Sequence, residues 1–249
     1  MLKPEISVIV PCYKEADVIQ TTLLVLYRYL KQHFERFEII VVIDGSPDTT
    51  EEKVREFGNA QPEIPLVLIC LKQNHGKGFA VKQGVLASKY ESVLFIDADL
   101  TIPIEEVSAF FSALDASDIV IASRLASGSK FEEPTKWYRT LLARSFYILQ
   151  ILILGNFEFS DTQCGFKLFR RTAALRIFPL LTISRFAFDA EILFLARKDN
   201  MRVSVLPVHI KKDLRATNVK PFQDSLNMFF SLLKIRMNDF SGKYDILNT

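Results

Sequence analysis

The chain has 249 residues, 49% of them hydrophobic and 24% charged, with 31 Lys and Arg against 29 Asp and Glu. A net charge of +2 excludes a nucleic-acid binder held by a strong positive field, and this hydrophobic fraction excludes a disordered chain. The three cysteines, Cys12, Cys70 and Cys164, are odd in number, lie far apart and show no CxxC spacing, which excludes a disulfide framework or zinc site and implies a reducing compartment.

Met1 to Glu5 lead directly into the first apolar segment, so no signal peptide is expected. The pattern then predicts a strand over Ile6–Val10, a helix from about Glu15 to His33, a strand over Glu38–Ile43 and a helix near Thr50 to Phe57. It continues with a strand over Leu66–Cys70, a helix over about Gly78–Ser88, a strand over Ser92–Ile96, a helix near Pro103 to Leu114 and a strand over Asp118–Ala122. Runs such as IIVVI are apolar at consecutive positions, as expected of parallel strands buried on both faces beneath helices. The simplest architecture is an α/β fold with a doubly wound, mostly parallel sheet.

Ligands of such sheets bind outside the carboxyl ends of the strands. Those positions carry Pro11, Tyr13, Lys14 and Glu15; Asp44, Gly45, Ser46 and Asp48; Asp97 and Asp99; and Ser123 and Arg124. Asp97 and Asp99, separated by Ala98, would point to one side of an extended strand end and could hold a hard divalent cation together with substrate phosphates. Gly76 and Gly78 flank Lys77 between the third strand and a helix, where free N–H groups and a cation suit a phosphate. The spacing there is neither GxxxxGK[ST] nor GxGxxG, so a P-loop or dinucleotide site is not expected. His33, His75 and His209 show no metal-site or triad spacing.

The second half predicts an amphipathic helix over Thr135–Leu154, a turn and short strand over Phe159–Arg171, a helix over Phe188–Lys198, a strand over Val203–Pro207 and a closing helix over Pro221–Met237. The longest apolar stretch, between Ser145 and Gly155, is broken by Gln150 and falls short of the roughly 30 Å of a bilayer core. No repeat or linker separates the halves, which predicts one domain over residues 1–249.

Taken in order, PCYKEADVI, VIDGSPDTT, NHGKGFAVKQG, FIDADLTIP, ASR, DTQCGFKLF and FDAEILFLA resemble the inverting family 2 glycosyltransferases of GT-A fold, from about Ile6 to Asn238. DTQCGFKLF and FDAEILFLA look most like the dolichyl-phosphate β-glucosyltransferases and, more broadly, the polyprenyl-phosphate glycosyltransferases. The resemblance implies a nucleotide-binding half (1–124) and an acceptor half (125–249), and that Pro11, Tyr13, Glu15 and Asp44 hold the base and ribose of a nucleotide sugar. It implies that Asp97 and Asp99 bind Mg²⁺ or Mn²⁺ and through it the diphosphate, that Arg124 lies near the phosphates, and that Asp161 is the acid of the reaction centre. Two segments depart from the family pattern: Thr101 stands where many mannose synthases have a Gln ligand, and Ala216-Thr217-Asn218 replaces a GSK segment, leaving Arg215 and Lys220 as the nearest cations.

The implied reaction moves a hexose, glucose from UDP-glucose in the first reading, to a polyprenyl phosphate with inversion. Arg124, Lys167 and Arg215 or Lys220 are the candidates to screen the acceptor phosphate, Lys167 having the alternative of a solvated strand lysine. GDP-mannose as donor, a sugar hydroxyl as acceptor, and a silent nucleotide-binding module are the alternatives. A lipid acceptor calls for membrane contact, for which the segment from Trp137 to Phe159 is the candidate, its alternative being a core-packing helix. Many relatives carry transmembrane helices and none is read in this sequence, so a peripheral protein at the cytoplasmic face of a membrane, or one working with a separate membrane partner, is expected.

Overall fold

The computed structural model describes residues 4–133, 137–155, 158–212 and 221–245, and within them the side chains of all but 137–143 and 221–225. The first half alternates as the pattern predicts: β1 (Glu5–Cys12), α1 (Ile19–His33), β2 (Arg36–Asp44), α2 (Thr50–Ala60), β3 (Leu66–Leu71), α3 (Lys77–Ala87) and β4 (Ser92–Ile96). A short 3-10 turn at Ile104–Glu106, α4 (Val107–Leu114) and β5 (Ile119–Ser123) complete it. The first helix begins at Ile19 rather than Glu15, because residues 15–18 form a turn whose Glu15 carbonyl accepts from the N–H groups of Val18 and Ile19.

The second half holds β6 (Lys130–Phe131), α5 (Trp137–Leu154), β7 (Phe166–Arg170), α6 (Arg171–Ile177), α7 (Phe188–Lys198), β8 (Val203–Pro207), β9 (His209–Ile210) and α8 (Pro221–Phe240). Neither α6 nor the small β6–β9 pair is signalled by the sequence pattern. Two-residue strands are too short to show a period, and α6 is a seven-residue helix following directly on a strand.

Seven strands form one sheet in the order β3-β2-β1-β4-β7-β5-β8, drawing on both halves of the chain. Every pairing is parallel except those of β7, which runs antiparallel between β4 and β5. The consecutive apolar runs serve two cores. Val8, Val10, Ile39, Val41, Leu94, Ile96 and Val120 face the core under α1, α2 and α4, whereas Ile9, Ile40, Val42, Val93, Phe95 and Ile121 face the core under α3, α6 and α7. Alternation is therefore present but hidden, since a strand covered on both faces is apolar at every position.

Helix α3 lies close on the sheet because its Gly84 sits over β1 and β2: a β-carbon there would stand 2.5 Å from Cγ2 of Ile9. Substitution would lift the helix, and Lys77, its first residue, would move with it. At the far end Gly78 is equally tight, a β-carbon meeting the Phe188 side chain at 2.6 Å. These two contacts set where the start of α3 stands above the carboxyl ends of the strands.

Candidate active site

The loop before α3 is pinned by Asp44 at the end of β2. Its carboxylate accepts from the His75 N–H (2.8 Å), the Gly76 N–H (2.7 Å) and the Asn74 amide (2.9 Å), and it is 2% exposed. Gly45 makes this approach possible: it has φ +58°, and a β-carbon there would collide with the backbone of Gln73 and Asn74. The expected base-and-ribose residue is thus engaged in fixing the loop that carries Lys77.

After β1, Lys14 adopts a left-handed φ of 60°, and the turn is tied to the start of α2. Thr50 Oγ1 accepts from the Glu15 N–H (2.9 Å), Asp48 Oδ2 from the Ala16 N–H (3.3 Å), and Ser46 Oγ from the Lys14 N–H (2.7 Å). Burial opposes the charge of Asp48, but hydrogen bonds from Ser46, Thr50 and Ala16 outweigh it and hold the carboxyl below its usual range. Pro11 pairs with Val42 one residue before β1 ends at Cys12, and Tyr13 is exposed at the rim with the Lys14 ammonium 5.5 Å from its ring centre.

Asp97 and Asp99 leave the end of β4 as expected, with Ala98 buried between them and Leu100 in a left-handed conformation (φ 50°) that turns the chain back. The Thr101 N–H donates to Asp99 Oδ1 at 2.9 Å, so position 101 orients Asp99 through its backbone. Asp97 is held differently. Its Oδ1 lies 2.6 Å from Lys77 Nζ, and its carboxylate presses on Gly165, where any β-carbon would overlap it. Burial works against the charge on Lys77, yet Asp97, Asp189 and Asp99 together raise its pKa above the ordinary lysine value.

The fork of Arg124 clasps Asp161. Nε donates to Oδ2 (2.9 Å), Nη2 to Oδ1 (2.8 Å) and the Arg124 backbone N–H to Oδ2 (2.8 Å). Burial pushes the Asp161 carboxyl up, but Arg124 overrides it and leaves the group below its usual range. Both oxygens of Asp161 are therefore occupied by one arginine, a geometry suited to positioning that arginine rather than to taking a proton.

Lys167 is corrected outright: it is neither an acceptor-phosphate contact nor a solvated strand lysine. It is wholly buried, donating to Asp189 Oδ1 (2.5 Å) and to the Cys164 carbonyl (2.7 Å), with Nζ 5.1 Å from the centre of the Phe95 ring. Phe95 also lies under Lys77, whose Nζ is 5.7 Å from the ring centre. Burial pushes the Asp189 carboxyl up against the pull of Lys167 and Lys77. The Cys164 thiol is pushed up to about 12 by burial, so it is no nucleophile. Arg215 and Lys220 lie outside the described residues.

Three contributors escaped the sequence reading. Gly165 gives Asp97 its place, Asp189 balances Lys167, and Glu191, fully buried, gathers the Thr182 N–H and hydroxyl, the Ile183 N–H (2.8 Å) and the Tyr244 hydroxyl (2.6 Å). The loop that Glu191 holds abuts Gly76, where a β-carbon would stand 2.5 Å from the Ser184 carbonyl oxygen. The signal for both acids was the pair Asp189 and Glu191 inside the otherwise apolar FDAEILFLA, since a buried carboxylate requires partners.

The paired carboxylates fit a hard divalent cation as two oxygen ligands, with Asp97 reached where Lys77 now sits. Among the described residues no group of three or more His, Cys, Asp or Glu could hold a metal.

Residues 7–178 match the model of glycosyl transferase family 2. The dolichyl-phosphate beta-glucosyltransferase of Dictyostelium discoideum is 34% identical over 97% of this chain and 76% of its own length, and that of Homo sapiens is 30% identical over 98% and 79%. Among solved structures, glucosyl-3-phosphoglycerate synthase from Mycobacterium tuberculosis, in complex with Mn²⁺, uridine diphosphate and glucosyl-3-phosphoglycerate, superposes with a TM-score of 0.62 at 19% identity, over 95% of this chain and 79% of that one. The shared architecture is the GT-A fold.

Proposed function

The chain belongs to glycosyl transferase family 2, and from that membership we propose that it transfers glucose from a uridine-diphosphate sugar to a polyprenyl phosphate with inversion. The carrying observation is the meeting of the Lys77–Asp97 pair with the Arg124–Asp161 fork at the strand ends on either side of β7. A nucleotide diphosphate and a phosphate acceptor both need cations, and an exposed face of Arg124 supplies one while Lys77 supplies another.

In this reading an oxygen of the acceptor phosphate attacks the anomeric carbon, the bond from that carbon to the diphosphate oxygen breaks, and its electron pair leaves with the diphosphate. A single in-line displacement inverts the configuration. A phosphate monoester with a second pKa near 6 is already mostly dianionic at neutral pH and requires no enzyme base. That agrees with an Asp161 committed to Arg124 and tells against a sugar-hydroxyl acceptor. Asp97 and Asp99 would hold Mg²⁺ or Mn²⁺, which when bound neutralises the departing diphosphate. Asp161 keeps Arg124 aimed, and Lys167 with Asp189 supports the floor from below.

Residues 1–249 act as one catalytic unit in this proposal, since the sheet interleaves strands of both halves. Among the described residues no helix is long and apolar enough to cross a membrane. Peripheral membrane contact, which we place at the cytoplasmic face, is supported in its apolar character alone by an exposed stripe on α8, Leu226, Phe230, Leu233, Met237 and Phe240, spaced four and three residues apart. Ile148, Ile151 and Leu152 are exposed on α5, which packs against α8, while Gln150 and Leu154 of α5 turn inward. In this proposal the lipid face combines the exposed side of α5 with the stripe on α8.

The deciding assay incubates the purified chain with UDP-glucose or GDP-mannose, with a polyprenyl phosphate or a free sugar as acceptor, in Mg²⁺, Mn²⁺ or chelator. Glucosyl polyprenyl phosphate formed from UDP-glucose only with a metal is the expected product. Transfer to the free sugar alone would overturn the acceptor, transfer from GDP-mannose alone the donor, and undiminished transfer in chelator the metal.

A further inference from the structure

Lys77 is oddly placed for a lysine. It is the first residue of α3, at the end of the helix where aligned backbone N–H groups repel a cation, and no acidic residue of the helix's own first turn compensates. Carboxylates from elsewhere hold it there: Asp97 in contact at 2.6 Å, with Asp99 and Asp189 close enough to add to its field. Asp97 has little room to yield, because Gly165 closes one side of its carboxylate. The loop behind Lys77 is fixed as well, by the three donors that Asp44 binds. A divalent cation on Asp97 and Asp99 would meet the ammonium at the oxygen the ammonium now holds.

Resting on the nucleotide-sugar reading of this site, we infer that Lys77 is its resident counter-ion, occupying Asp97 in the nucleotide-free protein and opposing a divalent cation there. A nucleotide diphosphate offers the ammonium a new anionic partner beside the same carboxylates. Release of Asp97 then lets the cation bind, so cation and nucleotide tighten one another, and by linkage each does so to the same extent. The lysine keeps the cation from loading alone and delivers it with the nucleotide. Lys77 is a positioning residue in the first state and a phosphate ligand in the second.

The test is binding, not turnover. Mn²⁺ affinity without nucleotide, and UDP affinity with and without Mn²⁺, are measured by titration calorimetry for the wild type, Lys77→Met, Lys77→Gln and Lys77→Arg, with melting curves to verify folding. Lys77→Met and Lys77→Gln should bind Mn²⁺ alone about tenfold more tightly and UDP in Mn²⁺ about tenfold more weakly, at the lower end of ordinary coupling factors of about 5 to 150. Lys77→Arg, keeping the charge, should stay near the wild type in Mn²⁺ affinity. Opposite signs for metal and nucleotide are something a merely structural lysine would not produce. A folded Met or Gln variant with unchanged or weaker Mn²⁺ affinity overturns the counter-ion role while leaving the site reading standing. A wild type that binds no UDP under any of these conditions overturns both.

Discussion

Arg124 and Asp161, 37 residues apart in the chain, are joined by two side-chain hydrogen bonds and one from the Arg124 backbone, all between 2.8 and 2.9 Å. Two residues to which the family resemblance gives separate roles are one structural unit. Replacing Arg124 by Ala should leave a nearly buried carboxylate without its fork and cost about 1.5 to 3 kcal/mol, toward the low end because the guanidinium is 40% exposed and screened by water. Lysine should recover part of the stability but less of the activity, since it offers a point charge in place of a fork. Melting temperature and initial rate at varied acceptor, compared across the two variants, measure both; equal rates for Lys and Arg would show that the fork geometry is immaterial.

The same pair sets an acid limit. Because Arg124 depresses the folded-state pKa of Asp161, the stability it contributes is fully present above the unfolded value of about 3.9 and is lost as pH falls through the lower folded value. The melting temperature should therefore fall on acidification below about pH 4, and the fall should be shallower in Arg124→Ala. Thermal melts between pH 3 and 7 read the difference directly; parallel curves would remove this pair as a source of the acid sensitivity.

Lys167→Met should be among the most damaging substitutions. It strands Asp189 in the core, and breaking a fully buried ion pair from one side costs about 3 to 5 kcal/mol. The double variant Lys167→Met with Asp189→Leu should recover much of that loss in denaturant unfolding, because no unpaired charge is left buried. Further destabilisation in the double variant would mean that Asp189 is not stranded by the loss of Lys167 and contributes through other partners, Lys77 among them.

Gly165→Ala is expected to act on the site through Asp97. The added methyl overlaps that carboxylate, so either Asp97 or the backbone at 165 must shift. Nucleotide affinity in the presence of Mn²⁺ should drop by about tenfold, the effect of a misplacement costing about 1.4 kcal/mol. Unchanged affinity, measured by calorimetry, would show that the crowding is relieved without moving Asp97.

For the membrane face, Phe230→Asp and Met237→Asp should reduce sedimentation with vesicles of mixed anionic and neutral lipid while leaving UDP affinity untouched. Both side chains are exposed on α8, so folding should not suffer. Each removes apolar area and adds a charge that an anionic surface repels. Binding to vesicles at wild-type strength in both variants would leave α5 as the remaining candidate.

Composition and local pattern determined the α/β class, because strands covered on both faces must be apolar at successive positions whatever their neighbours are. They also located Asp97, Asp99 and Arg124, since a strand that stops in a parallel sheet delivers its next residues to the same rim. Pairing was decided only in three dimensions. Local periodicity says how a strand alternates and nothing about which strand it lies beside, so the insertion of β7 between β4 and β5 was not legible. The consequence fell on Lys167. In FKLF a lysine between apolar neighbours reads as the solvent side of a half-buried strand, but a central strand has no solvent side, and Lys167 stands opposite Phe95 on one neighbour and Ile121 on the other. Burial then forced it to find Asp189, 22 residues away, and contacts of that separation are set by packing rather than by any local run of the sequence.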